Sequence, residues 1–253
     1  MEINDRPIGF FDSGVGGISV LREAVKVLKS EDFIYFGDSK NAPYGTKSYE
    51  EIQNLTLKAA QFLVGKNVKA IVVACNTATS VAIKELRQKY KGIPIIGIEP
   101  AIKPAVEQNK GGKIVIMATP MTLAEQKFNR LMNKYIDKAE FVPIACPQLV
   151  QFVESGKLSG KEVDDYLKEK LSEANGKIGA VVLGCTHYPF VREAVQNIAR
   201  DAFVIDGSLG TVNQLKRQLG LKNMLKDNNK DGEIVIYNSL KTKEKLSYKL
   251  LNL

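Results

Sequence analysis

The sequence has no tryptophan, a single histidine and only three cysteines in 253 residues. Each scarcity closes off a class of chemistry. One histidine and no Cys-x-x-Cys pair supply too few ligands for a zinc site, so no metal is expected. Three cysteines, an odd number spread through the chain, do not make a disulfide framework and point to reduced thiols in a cytoplasmic setting. No apolar run approaches the roughly 18 residues that a membrane-crossing helix needs. The opening residues Met1-Glu-Ile-Asn-Asp-Arg6 lack the charged-then-apolar pattern of a secretion signal. With 44% hydrophobic and 25% charged residues, the composition is that of a folded globular chain. Its length allows one large domain or two modest ones. The net charge of +8 comes mostly from lysines interspersed with acids. That pattern reads as a solvated surface, suits anionic small molecules, and favours nucleic acid only weakly.

The scarce residues are not scattered at random. The single histidine and one cysteine share the stretch Gly184-Cys185-Thr186-His187-Tyr188-Pro189. An apolar run, Ile178 to Leu183, leads into it as a buried strand, and Pro189 opens a helical pattern through Val191, Val195 and Ile198. Cys185 and His187 are therefore expected where a strand ends and a helix begins. Unpaired N–H groups and the helix dipole favour negative charge there, the condition under which a thiolate forms.

A second stretch repeats the first. Ala70-Ile-Val-Val-Ala-Cys75 overlays Ala180-Val-Val-Leu-Gly-Cys185, with the cysteines 110 positions apart. At nearly the same spacing, Ile8-Gly-Phe-Phe-Asp12-Ser13 falls on Val115-Ile-Met-Ala-Thr119-Pro120. Phe33-Ile-Tyr-Phe-Gly-Asp38 likewise falls on Phe141-Val-Pro-Ile-Ala-Cys146. Three overlays in one order indicate two copies of about a hundred residues, not a solenoid. Strand and helix patterns alternate throughout, the signature of parallel sheets covered by helices. The expected architecture is α/β: two pseudo-symmetric domains, each a mostly parallel sheet flanked by helices, with the active site in the cleft between them. The expected boundaries are 1–98 plus 207–253 for the first domain and 99–206 for the second.

Local signals fill in the chain. Asp12-Ser-Gly-Val-Gly-Gly17 is a glycine-rich strand-to-helix turn that can approach a ligand closely. It is neither a dinucleotide fingerprint, whose third glycine would fall at Ser19, nor a P-loop. Pro43-Tyr44-Gly45 is a turn. Ser48-x-x-Glu51, Thr122-x-x-Glu125 and Ser159-x-x-Glu162 are read as capping boxes. A helix from about Thr211 is expected to end at Gly220 as its C′ residue, before a last strand, Glu233 to Tyr237. From Lys216 onward nine Lys or Arg stand against four Asp or Glu, a solvated face or a surface for an acidic partner.

In open parallel sheets, ligands bind beyond the carboxyl ends of the strands. Asp12, Cys75 and Cys185 all lie at such ends. If the copies face each other, two thiols approach one ligand from opposite sides. This suits removal of a proton from one face of a carbon and its return on the other, with one sulfur as base and the other as acid. Asp12 and His187 are the local partners that hold or pass the proton, and such a scheme requires no cofactor.

Asp12-Ser-Gly-Val-Gly-Gly17, Pro43-Tyr-Gly45, Ala74-Cys-Asn-Thr-Ala-Thr79 and Gly184-Cys-Thr-His-Tyr-Pro189 resemble the signature motifs of the glutamate racemases, cofactor-independent enzymes of the aspartate/glutamate racemase superfamily. The resemblance runs from Ile8 to about Asn213. It implies that Cys75 and Cys185 are the catalytic thiols, Cys75 on the D-glutamate face and Cys185 on the L-glutamate face. It further implies that Asp12 assists Cys75, and that His187 and Glu154 assist Cys185. The substrate would be held by Asp12, Ser13, Tyr44, Gly45, Asn76, Thr77, Thr186 and His187. By the same resemblance the role is supply of D-glutamate for peptidoglycan, with glutamate as the small-molecule partner, a homodimer as the assembly, and neither membrane nor nucleic acid involved. Cys146 is expected to be structural. Other readings remain open: a racemase of aspartate or another amino acid, or a cysteine hydrolase using Cys185 and His187, which leaves Cys75 idle. A nucleic-acid- or gyrase-binding role through the basic tail is a third.

Overall fold

The computed structural model describes residues 2–228 and 230–253, with the side chain of Lys127 set aside. The chain forms two compact units, Met1–Ile98 with Ser208–Leu253, and Glu99–Gly207.

The first unit contains β1 (Ile8–Asp12), α1 (Ile18–Val27), β2 (Phe33–Gly37), α2 (Tyr49–Gly65), β3 (Ala70–Val73), α3 (Asn76–Lys89) and β4 (Ile95–Gly97). The second unit contains α4 (Ile102–Glu107), β5 (Lys113–Ala118), α5 (Pro120–Ala124), α6 (Gln126–Asn133), β6 (Phe141–Ala145), α7 (Pro147–Glu154), α8 (Lys161–Ser172), β7 (Ile178–Leu183), α9 (Arg192–Ile198) and β8 (Phe203–Asp206). The chain then returns to the first unit as α10 (Ser208–Leu221), β9 (Ile234–Asn238) and α11 (Thr242–Leu251). Among the described residues no helix is long and apolar enough to cross a membrane.

The first sheet runs β4-β3-β1-β2-β9 and the second β6-β5-β7-β8, every pair parallel. Read from β8, the second sheet is β8-β7-β5-β6, the same order as β4-β3-β1-β2. The repeat seen in the sequence is thus a repeat of topology. In each copy the first strand is central and pairs with the next two, so three strand ends stand side by side. Asp12 is level with Gly37, and Phe11 with Val73. Ala118 is level with Ala145, and Met117 with Leu183.

Burial explains why these strands read as unbroken apolar runs. Every residue of β1 and β3 is buried, because helices cover both faces of the sheet. In the second unit Ile114 and Ile116 of β5 and Ala180 and Val182 of β7 pack with Ile102 and Phe128. At the opposite end from the cysteines, the first unit closes on a buried ion pair. Lys69 Nζ lies 2.5 Å from Glu31 Oε2, with both side chains almost wholly excluded from solvent. Lys69 also donates to the Asn4 carbonyl at 2.6 Å, and Glu31 Oε1 accepts the Lys226 amide at 2.9 Å. Lys226 Nζ in turn lies 2.6 Å from Asp32, so one lysine of the basic tail serves an internal tie.

Helix ends correct several sequence expectations. Ser48 does cap α2, accepting the Glu51 amide at 3.3 Å. Thr122 does not cap the helix of Leu131 and Met132, α6, which starts from Glu125 with no side-chain cap. It lies inside α5, whose cap is Thr119, accepting the Thr122 amide at 3.3 Å with Pro120 setting the helical dihedral one residue on. α8 starts from Gly160 at φ 106° with no side-chain cap, so Ser159 does not serve. α10 begins at Ser208 and passes through Gly220 to Leu221; the left-handed residue that follows is Asn223, at φ 54°.

Candidate active site

Three strand ends of the first unit gather Asp12, Asp38 and Cys75. Cys75 is the N-cap of α3, and its sulfur accepts the Ala78 amide at 3.4 Å. The Ser13 hydroxyl lies 3.4 Å from the same sulfur. A sulfur that receives a first-turn N–H at the head of a fourteen-residue helix is in a place that favours its charged form. Asp12, fully buried, accepts the Gly14 amide at 2.9 Å and so folds the glycine-rich turn around its own carboxylate. Gly17 makes this possible through space alone, since its φ is an ordinary −62°. A Cβ there would lie 2.5 Å from the Asp12 Cβ and 3.0 Å from the Ala74 Cβ.

Asn76 and Thr77, the first residues of α3, are buried, and Asn76 Oδ1 is a buried acceptor with no hydrogen-bond partner. An unsatisfied buried carbonyl costs about 1–3 kcal/mol, which a ligand donor would recover. Tyr44 and Gly45 lie in a single 3-10 turn after the cis Ala42–Pro43 bond. The Tyr44 hydroxyl donates to Asp38 Oδ2 at 2.8 Å, and the Asn41 side-chain amide reaches both Asp38 oxygens at 3.0 Å. Burial pushes the Tyr44 hydroxyl far above the usual tyrosine range, and the Asp38 carboxylate adds to this, so the phenol stays neutral and donates.

The second unit uses different means for its cysteine. After β7 the chain runs through Gly184 to His187 into a 3-10 turn, Tyr188–Val191, and α9 begins only at Arg192. Cys185 and His187 do lie between a strand end and a helical start, but the helix expected at Pro189 opens as a 3-10 turn and turns α-helical only at Arg192. The four residues Tyr188–Val191, with Pro189 among them, close a tight turn first. The partner of Cys185 is a side chain: its sulfur lies 3.7 Å from His187 Nδ1, and His187 Nε2 lies 2.9 Å from Glu154 Oε1 at the end of α7. His187 is 2% exposed. Burial alone would lower its pKa, but the hydrogen bonds to Cys185 and Glu154, with their charges, outweigh it and hold the imidazole well above its ordinary value. Thr186 is buried beside it.

Asp12, Ser13, Cys75, Asn76, Thr77, Tyr44 and Gly45 thus fall around one set of strand ends, and Cys185, Thr186, His187 and Glu154 around the other. The family pattern of the Asp/Glu/hydantoin racemases matches residues 11–215. The chain belongs to that family.

Among relatives of this Asp/Glu/hydantoin racemase, the glutamate racemase of Clostridium novyi (strain NT) is 60% identical over 258 residues, with both chains wholly covered. The crystal structure of the Francisella tularensis glutamate racemase in complex with D-glutamate is similar at a TM-score of 0.84 and 33% identity, covering 99% of this chain and 95% of that one. The Escherichia coli glutamate racemase, solved with L-glutamate and the activator UDP-MurNAc-ala, is similar at a TM-score of 0.82 and 27% identity, covering 97% of this chain and 92% of that one.

The third cysteine of this racemase-family chain is chemically quiet. Burial pushes the Cys146 thiol up to about 12, and its S–H donates to the Ile144 carbonyl at 3.6 Å. Its carbonyl accepts the Tyr188 hydroxyl at 2.8 Å, which anchors the residue after His187. Sequence reasoning did not single out Asp38, Tyr188 or the Thr119–Thr122 hydroxyl pair, 3.0 Å apart at the end of β5. A signal existed for Thr119, which overlays Asp12 in the internal repeat. Among the described residues no three of His, Cys, Asp or Glu cluster as a metal site.

Proposed function

We propose that this chain interconverts L- and D-glutamate by carrying the Cα proton between two cysteine sulfurs, with no cofactor. One observation carries the reading: matching strand ends of two copies of one topology each bear a buried cysteine with its own partner set, the Ser13 hydroxyl and Ala78 amide for Cys75, and His187 with Glu154 for Cys185.

In the L-to-D direction the Cys185 thiolate takes the Cα proton, and the Cys75 thiol gives its proton to the opposite face. The electron pair of the broken C–H bond stays on Cα and then forms the new C–H bond. The sulfurs end with exchanged protonation, and the reverse reaction starts from that state. This requires both sulfurs to reach one Cα from opposite sides. His187 stands beside the Cys185 sulfur, and Glu154 on its other nitrogen favours the imidazolium. Asp12, on the strand beside the one that leads to Cys75, shapes the glycine-rich turn next to it and is read as the group that assists this sulfur.

The Cα–H of an amino acid is a very weak acid, so the carbanion needs prepared donors. The first-turn amides of α3 and the residues Ser13, Asn76, Thr77, Thr186 and His187 supply them, and the orphaned Asn76 oxygen fits the substrate ammonium. Because Asp38 engages the Tyr44 hydroxyl, Tyr44 and Gly45 offer their backbone. The product serves peptidoglycan synthesis. We place the enzyme in the cytoplasm as a homodimer that uses no nucleic acid.

The test is incubation of each enantiomer with purified protein in deuterated water. Glutamate is expected to racemise and gain Cα deuterium, with aspartate far slower. Cys75→Ser and Cys185→Ser each abolish racemisation. Preference for aspartate, or near-native turnover by either variant, refutes the reading.

A further inference from the structure

β9 and the two residues after it do more than close the sheet edge. β9 pairs with β2 so that Asn238 is level with Gly37, immediately before the loop that carries Tyr44. Four hydrogen bonds join that loop and the strand end before it to the C-terminal segment or set the segment's side chains. Asn238 Nδ2 donates to Ser39 Oγ at 3.0 Å. The Lys40 amide donates to Ser239 Oγ at 2.9 Å. The Ser239 amide donates to the Gly37 carbonyl at 2.9 Å. The Leu240 amide donates to Asn238 Oδ1 at 2.9 Å and thereby fixes which way the Asn238 amide points.

The packing at this point leaves no slack. A Cβ on Gly37 would lie 2.4 Å from the Gly14 carbonyl and 2.8 Å from Asn238 Nδ2, so only glycine lets β9 and the Asp12–Gly17 turn approach β2 together. Asn238 and Ser39 are both buried. Asp38 stands between Gly37 and Ser39, both held by these bonds, and it receives Tyr44 and Asn41. The path from the C-terminal strand to the Cys75 side is therefore short: Asn238 and Ser239 hold residues 37, 39 and 40, these hold Asp38, and Asp38 holds Tyr44.

We propose that Asn238 and Ser239 are positioning residues for glutamate binding: they hold the 38–45 loop in the shape that presents Tyr44 and Gly45 to the substrate. This rests on the reading above that the loop touches glutamate. A buried carboxylate keeps its place only while its donors keep theirs. Loss of the C-terminal ties frees the loop without touching either sulfur.

The test uses the full chain carrying Asn238→Ala, Ser39→Ala, or both. KM for both enantiomers is expected to rise about tenfold in each single variant while kcat stays within about twofold, as for a lost positioning contact away from the reacting atoms. The double variant is expected to rise no further than Asn238→Ala alone, because the bond that Ser39→Ala removes is already lost there. Hydrogen exchange at the amides of residues 38–46 quickens, and that of β1 and β3 is unchanged. Ser39→Ala, which removes one hydroxyl, carries the test should Asn238→Ala fail to fold. Unchanged KM, a fall in kcat alone, or unchanged loop exchange overturns the proposal. A native chain that exchanges no Cα proton of glutamate overturns the proposed function instead, and loop exchange still decides whether the ties hold the loop.

Discussion

Glu154 and His187, thirty-three residues apart in the chain, meet at 2.9 Å with both side chains largely withdrawn from solvent. The carboxylate closes α7, and the histidine follows β7, so the contact is made by tertiary packing alone. Its sign is opposite to what burial does to a lone imidazole: the partners Cys185 and Glu154 raise the pKa although desolvation lowers it. At pH below about 6.5, His187 is charged in the folded and unfolded chain alike, and the pair stabilises fully. The contribution fades as pH rises through the raised folded value. The melting temperature of the native chain should therefore exceed that of His187→Gln by more near pH 6 than near pH 10, as measured by calorimetry across that range. A constant difference would mean that the pair is not ionic.

The same residue should leave a directional mark on catalysis. Enantiomers have equal free energy, so kcat/KM must stay equal in the two directions whatever is mutated. His187→Asn should lower both on the order of a hundredfold, the usual scale for a group that assists proton transfer. The asymmetry appears in isotope effects. With the Cys185 step slowed, α-deuterated L-glutamate should show a larger effect than with the native chain, and α-deuterated D-glutamate a smaller one. Equal changes would detach His187 from Cys185.

Cys146 should behave as a core residue. With its thiol held up at about 12 by burial, it should resist alkylation at pH 8 in the folded protein. Cys146→Ala should keep turnover within about threefold and cost about 1 kcal/mol by denaturant melting, as for a small core truncation. Loss of activity with the fold intact would give the Cys146 side chain a part in the site.

The ion pair of Lys69 and Glu31 should matter by its breakage more than by its presence. Removing one partner strands a buried charge, so Lys69→Met should cost about 3–5 kcal/mol in urea unfolding, whereas Lys69→Met with Glu31→Leu should recover most of it. A single variant as stable as the native chain would show that water reaches the pair.

Much of the doubled α/β topology was legible because it depends on near-neighbour patterns: apolar runs for central strands, and turn residues between them. Ser48 could be read as a cap for the same reason. Thr122 and Ser159 satisfied the same pattern, yet Thr119 and Gly160 took the cap positions, since Pro120 and the free φ of Gly160 decide where a helix can begin. Gly220 failed as a stop because α10 runs through it to Leu221 and the left-handed turn is taken by Asn223. In the site, the motifs marked the cysteines, but not how each is partnered. The Asp38–Tyr44 and Tyr188–Cys146 bonds join polar side chains to groups that periodicity does not see, and the helix start at Cys75 and the His187 contact at Cys185 differ although their sequences overlay.

The first unit is made from two separated lengths of chain, with the second unit between them. During synthesis on the ribosome the Cys185 sheet is complete in sequence, and free to close, while the Cys75 sheet still lacks its fifth strand. Every strand of the second sheet thus precedes β9 in the order of synthesis, and Asn238, which ties the Tyr44 loop, is among the last residues of the fold to be added.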